Sequence, residues 1–387
     1  MPHMIKRFTG ACALISILLA ACAPAQPGST PPTAPGSPAG TPFPESAEDI
    51  STGEQLNPPN TPQPAEINPL TGLPVYEAAL LKRRPVMLKV SNFPREGRPH
   101  AGLSYADIVF DYYIGYGTNR FLSVFYGQDS PRVGPIRSGR RVDAELVNMY
   151  GGVLGYGSAD NDTDAVLRGA LGDYAISHHQ APCPVFCGED THSATGVFAD
   201  SAALSRYVSE QGLDNSPAQL DGMRFSDELP AGGQNGRGVN ILFNFFNRAE
   251  WRYDPASGRY LRWIEYMENE DSQEFEMIPL IDSVTSRQLA FSNVVIISAY
   301  YTELAPSAHE IDILGNTRGL PAVFFRDGQK FSGTWAVAQA GSPMRFYDES
   351  GADFALKPGS TWVVIAGFSS SFREIEPGVW ELFFFLP

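Results

Sequence analysis

Apolar positions along this chain fall in short runs whose spacing divides the sequence into elements. Residues 85–92 (PVMLKVSN), 106–114 (ADIVFDYYI) and 121–126 (FLSVFY) are strand-length runs of aliphatic, β-branched and aromatic residues. Residues 152–157 form another short run. Helical spacing is read over 142–149, 162–171 and 200–211. The last two follow Asp or Asn residues suited to N-caps, the third stops at Gly212, and Ser138 is placed to cap the first. Beyond residue 238 strand patterns take over, at 239–246, 250–253, 260–265, 293–300, 322–325, 334–339, 361–366 and 379–386. Asp254-Pro255-Ala256-Ser257-Gly258 supplies turn chemistry between two of them, which predicts a hairpin. Strands and helices mixed without regular strand–helix–strand spacing predict an α+β protein. The expected organisation is an N-terminal mixed α/β domain over 67–214 and a linker over 215–237. A mainly antiparallel β domain follows over 238–387.

The first residues follow a different pattern. Lys6 and Arg7 precede a short apolar run over 11–20, which ends Leu19-Ala20-Ala21-Cys22. The run is too short to cross the ~30 Å hydrocarbon core of a bilayer at ~1.5 Å per helical residue. Small residues directly before a cysteine resemble a bacterial lipoprotein signal, which predicts a signal segment over 1–22 and lipid attachment at Cys22. Residues 23–66 are dominated by Pro, Gly, Ser, Thr and Ala, with too little apolar surface to offset ordering entropy. They are expected to be a disordered tether. The expected location is extracytoplasmic, lipid-anchored to the cell membrane.

Charge narrows the partners. With 28 Lys and Arg against 43 Asp and Glu, the formal net charge is −15, which disfavours non-specific binding to nucleic acid or to an anionic membrane. The expected partners are the membrane, through the lipid anchor, together with peptidoglycan, another envelope polymer or a membrane protein. Against this background Arg132, Arg137, Arg140 and Arg141 stand within ten residues, at a Gly-Pro-Ile-Arg-Ser core between a strand and a helix. Arginine forks bind phosphate or carboxylate bidentately, and a helix start adds free N–H groups. Arg120, Arg137, Ser138, Arg140 and Arg141 are therefore candidate anion ligands, supplemented by Thr118 and Asn119. Arg132, on the turn side, is expected at the surface. Gly155-Tyr156-Gly157-Ser158 is a candidate second wall, although it lacks the lysine of a phosphate-binding P-loop. The alternative is structural: the same arginines pair with Asp107, Asp111, Asp143 or Glu145.

Other motifs add less. Cys183 and Cys187 are separated by three residues, and outside the cytoplasm the pair predicts a local disulfide. A metal site from His178, His179, Cys183, Cys187 and His192 is the alternative, though the spacing is not that of a zinc knuckle. Asp160-Asn161-Asp162-Thr163-Asp164 superficially matches a calcium loop but lacks its glycine and bidentate acid, so it is read as a helix-capping turn. No nucleophile-elbow motif occurs, no catalytic residue is assigned and no cofactor is expected. Trp251, Tyr260, Trp263, Trp335 and Trp362 are expected mainly in the core, with a sugar-stacking platform as the alternative.

The motifs Asn68-Pro69-Leu70-Thr71-Gly72, Arg84-Pro85-Val86, Arg98-Pro99, Ala101-Gly102-Leu103, Ala106-Asp107-Ile108-Val109 and Gly134-Pro135-Ile136-Arg137-Ser138 resemble the YerB-like bacterial lipoprotein family. In the C-terminal half Trp251, Tyr253-Asp254, Tyr260, Arg262, Asp282, Asn293-Val294, Gly333-Thr334-Trp335 and Thr361-Trp362 resemble the second domain of that family. The resemblance implies two consecutive domains of unknown function and no particular reaction. Members carry a Pro-His-Asn element ahead of the helix matching 200–211, where this chain has His178-His179 and a Cys-containing loop. The expected function is an envelope lipoprotein that binds an envelope component or modulates a membrane partner. An enzyme acting on a phosphate-bearing envelope substrate is the alternative.

Overall fold

The computed structural model describes residues 66–268, 274–338 and 341–386. The signal segment, Cys22 and the tether up to residue 65 lie outside the described residues. Residues 62–387 form one compact unit.

In the N-terminal half the strands are β1 (Val86–Ser91), β2 (Ile108–Gly115), β3 (Thr118–Phe125), β4 (Val153–Tyr156) and β5 (Ala175–Ser177). The helices are α1 (Arg141–Tyr150), α2 (Asn161–Leu171) and α3 (Ser201–Glu210), within a residue of the segments expected from spacing. Asp160 caps α2 by accepting from the Thr163 N–H at 2.9 Å, the capping role expected of that acidic run. Ser138 does not cap α1. Arg140 occupies that position, and its N–H is taken instead by the Asp143 carboxylate at 2.7 Å.

The C-terminal half contributes β6 (Gly238–Asn244), β7 (Asn247–Asp254), β8 (Arg259–Tyr266), β9 (Glu276–Pro279), β10 (Asn293–Ala305), β11 (Ala308–Asp312), β12 (Leu320–Arg326), β13 (Gln329–Val337), β14 (Met344–Asp348), β15 (Thr361–Gly367), β16 (Ser371–Glu376) and β17 (Val379–Phe383). Two sheets organise all of these. The first has twelve strands, with the central path β13-β12-β10-β15-β2-β3-β1-β4-β5. The second has seven, on the path β9-β8-β7-β6-β17-β16.

The expected α+β class, with a mixed α/β N-terminal domain, is overturned. The protein is mostly β, 44% strand against 14% helical, with three α-helices among the described residues. The physical reason is where the N-terminal strands find partners. β2 pairs in parallel with β15, Ile108 opposite Thr361 through Tyr112 opposite Ile365, so the N-terminal half extends the sheet of the C-terminal half. A long sheet needs few helices to cover it. β4, α2 and β5 do form one parallel strand–helix–strand unit, continued from β1 by α1.

The apolar core is continuous across both halves. Trp251, Trp335, Trp362 and Tyr260 are fully buried, which leaves no sugar platform among them. Trp263 is half-buried beneath the Arg252 guanidinium, 4.0 Å from its ring centroid. At the centre sits Arg262, 1% exposed, with Asp111 at 3.5 Å and the Trp362 ring at 4.0 Å. Asp111 also accepts from Asn119 and Trp362. This pair joins a C-terminal strand to an N-terminal one and is enclosed by aromatic side chains.

Candidate functional site

Ligands of open sheets with parallel strands gather at the carboxyl ends of those strands. Here the ends of β4 and β5 carry Gly157-Ser158 and His178-His179. Beside them runs the segment 136–140, held by main-chain bonds on both sides. The Arg137 N–H donates to Lys89 O at 2.9 Å, and Arg137 O accepts from the Gly157 N–H at 2.9 Å. The Gly139 N–H donates to Ser158 O at 2.8 Å. Glycine at 157 suits this approach, because a Cβ there would crowd the Arg137 backbone at 3.2 Å.

The result is a cleft of about 330 Å³ lined by Ile136, Arg137, Ser138, Gly157, Ser158, His178, His179, Val197 and the segment Thr191–Ala194. The Ser138 and Ser158 hydroxyls are 3.4 Å apart. His178 Nδ1 lies 2.5 Å from Gly157 O. A carbonyl only accepts, so Nδ1 carries the proton and Nε2 is left as the acceptor. The rings of His178 and His179 lie against each other, centroids 3.7 Å apart.

Beneath the cleft the charge is unbalanced. Lys89 is fully buried and donates to Asp143 at 3.1 Å, with the Tyr112 hydroxyl bonded to both. Arg120 is 7% exposed and donates to Ser138 O at 2.7 Å. Arg140 donates to Gly139 O. Lys89, Arg120 and Arg140 thus lie around one buried carboxylate, Asp143, with Asp160 also facing Arg140, and among the described residues the Nε atoms of Arg120, Arg137 and Arg140 are buried without a hydrogen-bond partner. Burial, with repulsion from Arg140 and Arg137, holds Arg120 well below the usual guanidinium range. Burial, then Arg140, lowers Arg137. Burial pushes Lys89 down to about 7, with Asp143 opposing it. A bound anion would relieve each of these penalties.

The structure distributes the five candidate anion ligands unequally. Arg137 and Ser138 line the cleft, while Arg120 and Arg140 lie behind it. Arg141 turns away and pairs with Glu310 at 3.0 Å in a different cavity. Thr118 bonds Gly115 O, and Asn119 joins Asp111 and Asn92 in the core. Arg132 stacks on Phe198. The acids that a purely structural role would offer the cluster are engaged elsewhere. Asp107 accepts from Tyr126 and Gly127 N–H groups, Asp111 from Arg262, and Glu145 from Ile313 and Leu314 N–H groups. Asp143 serves the cluster through Lys89 and the Arg140 N–H, and Asp160 at the start of α2 also faces Arg140.

The Cys183 and Cys187 sulfurs are bonded to each other, which removes both as thiolate ligands. Among the described residues no group of three or more His, Cys, Asp or Glu side chains is arranged to hold a metal ion. Sequence reasoning placed His178, His179 and His192 only in that metal alternative. Their place in the arginine cleft depends on β5 lying beside β4, a pairing no local signal encodes.

Comparison with known proteins fits this architecture. Residues 70–214 match the family described as Protein of unknown function (DUF3048) N-terminal domain, and residues 239–363 match its C-terminal domain. The chain is 26% identical over 301 residues to "Putative lipoprotein YerB" of Bacillus subtilis (strain 168), spanning 77% of this chain and 85% of that protein. The crystal structure of YerB protein from Bacillus subtilis superposes with a TM-score of 0.64 at 22% identity, covering 78% of this chain and 96% of the other, a likeness of fold. Two matched domains in the same order, over most of the ordered sequence, place this protein in the YerB-like family, and the chain belongs to it.

Proposed function

We propose that this protein is a lipid-anchored extracytoplasmic lipoprotein that holds a phosphate- or carboxylate-bearing envelope component in the cleft between Arg137 and His178. The anchor is supported by Leu19-Ala20-Ala21-Cys22 and by the lipoprotein name of the Bacillus subtilis relative. Arg137 is the observation that carries the ligand. Its guanidinium lines the cleft with no acidic partner among the described residues, above buried Arg120 and half-buried Arg140, whose Nε atoms also lack a hydrogen-bond partner there. Serine hydroxyls at 138 and 158 and the imidazoles of 178 and 179 complete a donor-rich wall.

Calorimetry with pyrophosphate and with peptidoglycan fragments tests the reading on wild type and Arg137→Ala. Wild type is expected to bind pyrophosphate, and the variant to bind it at least about tenfold more weakly, the loss of one charge-assisted contact. Absence of binding by wild type removes the anion cleft. A second reading, hydrolysis of a phosphate ester, is favoured by His178, whose Nδ1 is fixed by Gly157 O so that Nε2 is available as a base in a cleft with two hydroxyls. Turnover of an aryl phosphate by wild type but not His178→Gln would support it.

A further inference from the structure

The carboxyl ends of β2, β6, β10, β15 and β17 all lie at one end of the two sheets. Hairpin tips at this end are normally polar, with Asn, Asp or Gly. Here the β6–β7 turn is Phe245-Phe246, 50% and 39% exposed, and the β2–β3 turn carries Tyr116, 75% exposed. The two turns touch, because Asn244 and Asn247 donate to Gly117 O at 3.1 and 2.9 Å. The β10–β11 tip closes on Gly115 and adds Leu304, 48% exposed. Beyond β15 and β17, Phe368 stacks on Tyr300, and Phe385 is bonded through its main chain to Ser370. Together these make up half of the large apolar side chains exposed among the described residues.

We propose that this aromatic end is a second contact with the lipid bilayer, inserting its rings at the boundary of headgroups and acyl chains. The side chains project from separate tips, which fits a deformable apolar phase better than a pocketed protein surface. Tyr, Phe and Leu with Arg248 stacked on Phe245 is the composition of an interfacial anchor. β1 runs parallel to β2, through β3, so the arginine cleft at the ends of β4 and β5 opens at this same end. Docking would bring that cationic cleft to the phosphate layer. The chain enters at the opposite end, where Thr71 O accepts from Gly359 ahead of β15. The segment from Cys22 to Glu66 extends to at most roughly 145 Å, and β10 is about 40 Å long. An acyl-anchored chain can therefore bring its far end to the bilayer.

The inference rests on the anchored, anion-binding reading above, so the test replaces the anchor. Residues 23–387, which contain the whole described core, are held by an N-terminal hexahistidine tag on phosphatidylcholine vesicles doped with nickel-chelating lipid. With Cys183 and Cys187 joined, no free thiol remains, and Tyr116→Cys or Tyr76→Cys takes one environment-sensitive fluorophore. The label at 116 is expected to shift to the blue and be quenched by brominated lipid. The label at 76, at the chain-entry end, is expected to do neither. Phe245→Ser with Phe246→Ser, confirmed folded by circular dichroism, should abolish quenching at 116. Absent quenching at 116, or equal quenching at both sites, overturns the proposal. A blue shift that depends on protein density without lipid quenching overturns it in favour of contact between two copies. Pyrophosphate binding by the same protein in solution reports the cleft separately.

Discussion

The molecule holds two arginine clusters, and they differ in how their charge is closed. Around Arg262 the guanidinium faces Asp111 and is wrapped by Trp251, Trp362 and Phe121, all fully buried, although its Nε and Nη1 also lack a hydrogen-bond partner among the described residues. Around Arg137 the same residue type, with Lys89, is gathered in excess over the carboxylates of Asp143 and Asp160, and one side is open. A buried guanidinium with a buried carboxylate and an aromatic sleeve is a structural element, here tying the seven-stranded sheet to the twelve-stranded one. Arginines in excess beside an open cleft leave a charge for something else to neutralise. Stoichiometry and cover separate the two roles; the count of arginines does not.

The largest effect that sharpens this contrast should come from Arg262→Ala. It leaves Asp111 buried without its cation, and a loss of ~3–5 kcal/mol is expected from urea unfolding. Arg137→Ala, by contrast, should change unfolding by less than ~1 kcal/mol, since the cluster loses repulsion along with packing. Equal losses at the two positions would break the comparison.

Acid should act on the closed side. His100 is fully buried against Phe121, its Nε2 2.8 Å from Ser91 O, and burial, helped by Arg98 and Arg262, pushes it down to about 3. The unfolded imidazole protonates near ~6.5, so between those values the unfolded chain binds the extra proton. The stability is complete above the unfolded value and is lost as pH falls toward 3. Urea midpoints are expected to drop over that window, by an amount of order a few kcal/mol, and His100→Gln should flatten the drop.

Ligand should act on the open side. Pyrophosphate at about one hundred times its wild-type Kd should raise wild-type stability by ~2.7 kcal/mol and that of Arg137→Ala by no more than ~1.4 kcal/mol. The smallest effect belongs to Arg141→Ala. Its ion pair with Glu310 is largely exposed, so under ~0.5 kcal/mol and unchanged pyrophosphate affinity are expected. A loss of affinity at Arg141 equal to that at Arg137 would mean that the whole run, rather than the cleft, holds the anion.

Much of the local structure was legible. The three helices, the β7–β8 hairpin and the Asp160 cap are written in spacing and turn chemistry within a few residues of each other. The class was misread because helices and strands alternate in the N-terminal sequence, while the partner of β2 lies about 250 residues away in β15. Arg120, Arg137, Ser138 and Arg140 were legible as a basic segment. Which of them face solvent was not, because Arg141 differs from Arg140 only in which side of the α1 start it leaves.

By itself the sequence determined the element types, the likeness to a lipoprotein signal and the family, because propensity, capping and motif order are properties of neighbouring residues. Only the tertiary structure decided which charges are satisfied. Lys89 meets Asp143 across 54 residues and Arg262 meets Asp111 between the two packed sheets. His178 reaches Arg137 only because β5 pairs with β4. Electrostatic balance depends on distance and burial, and those are set by which strands pair.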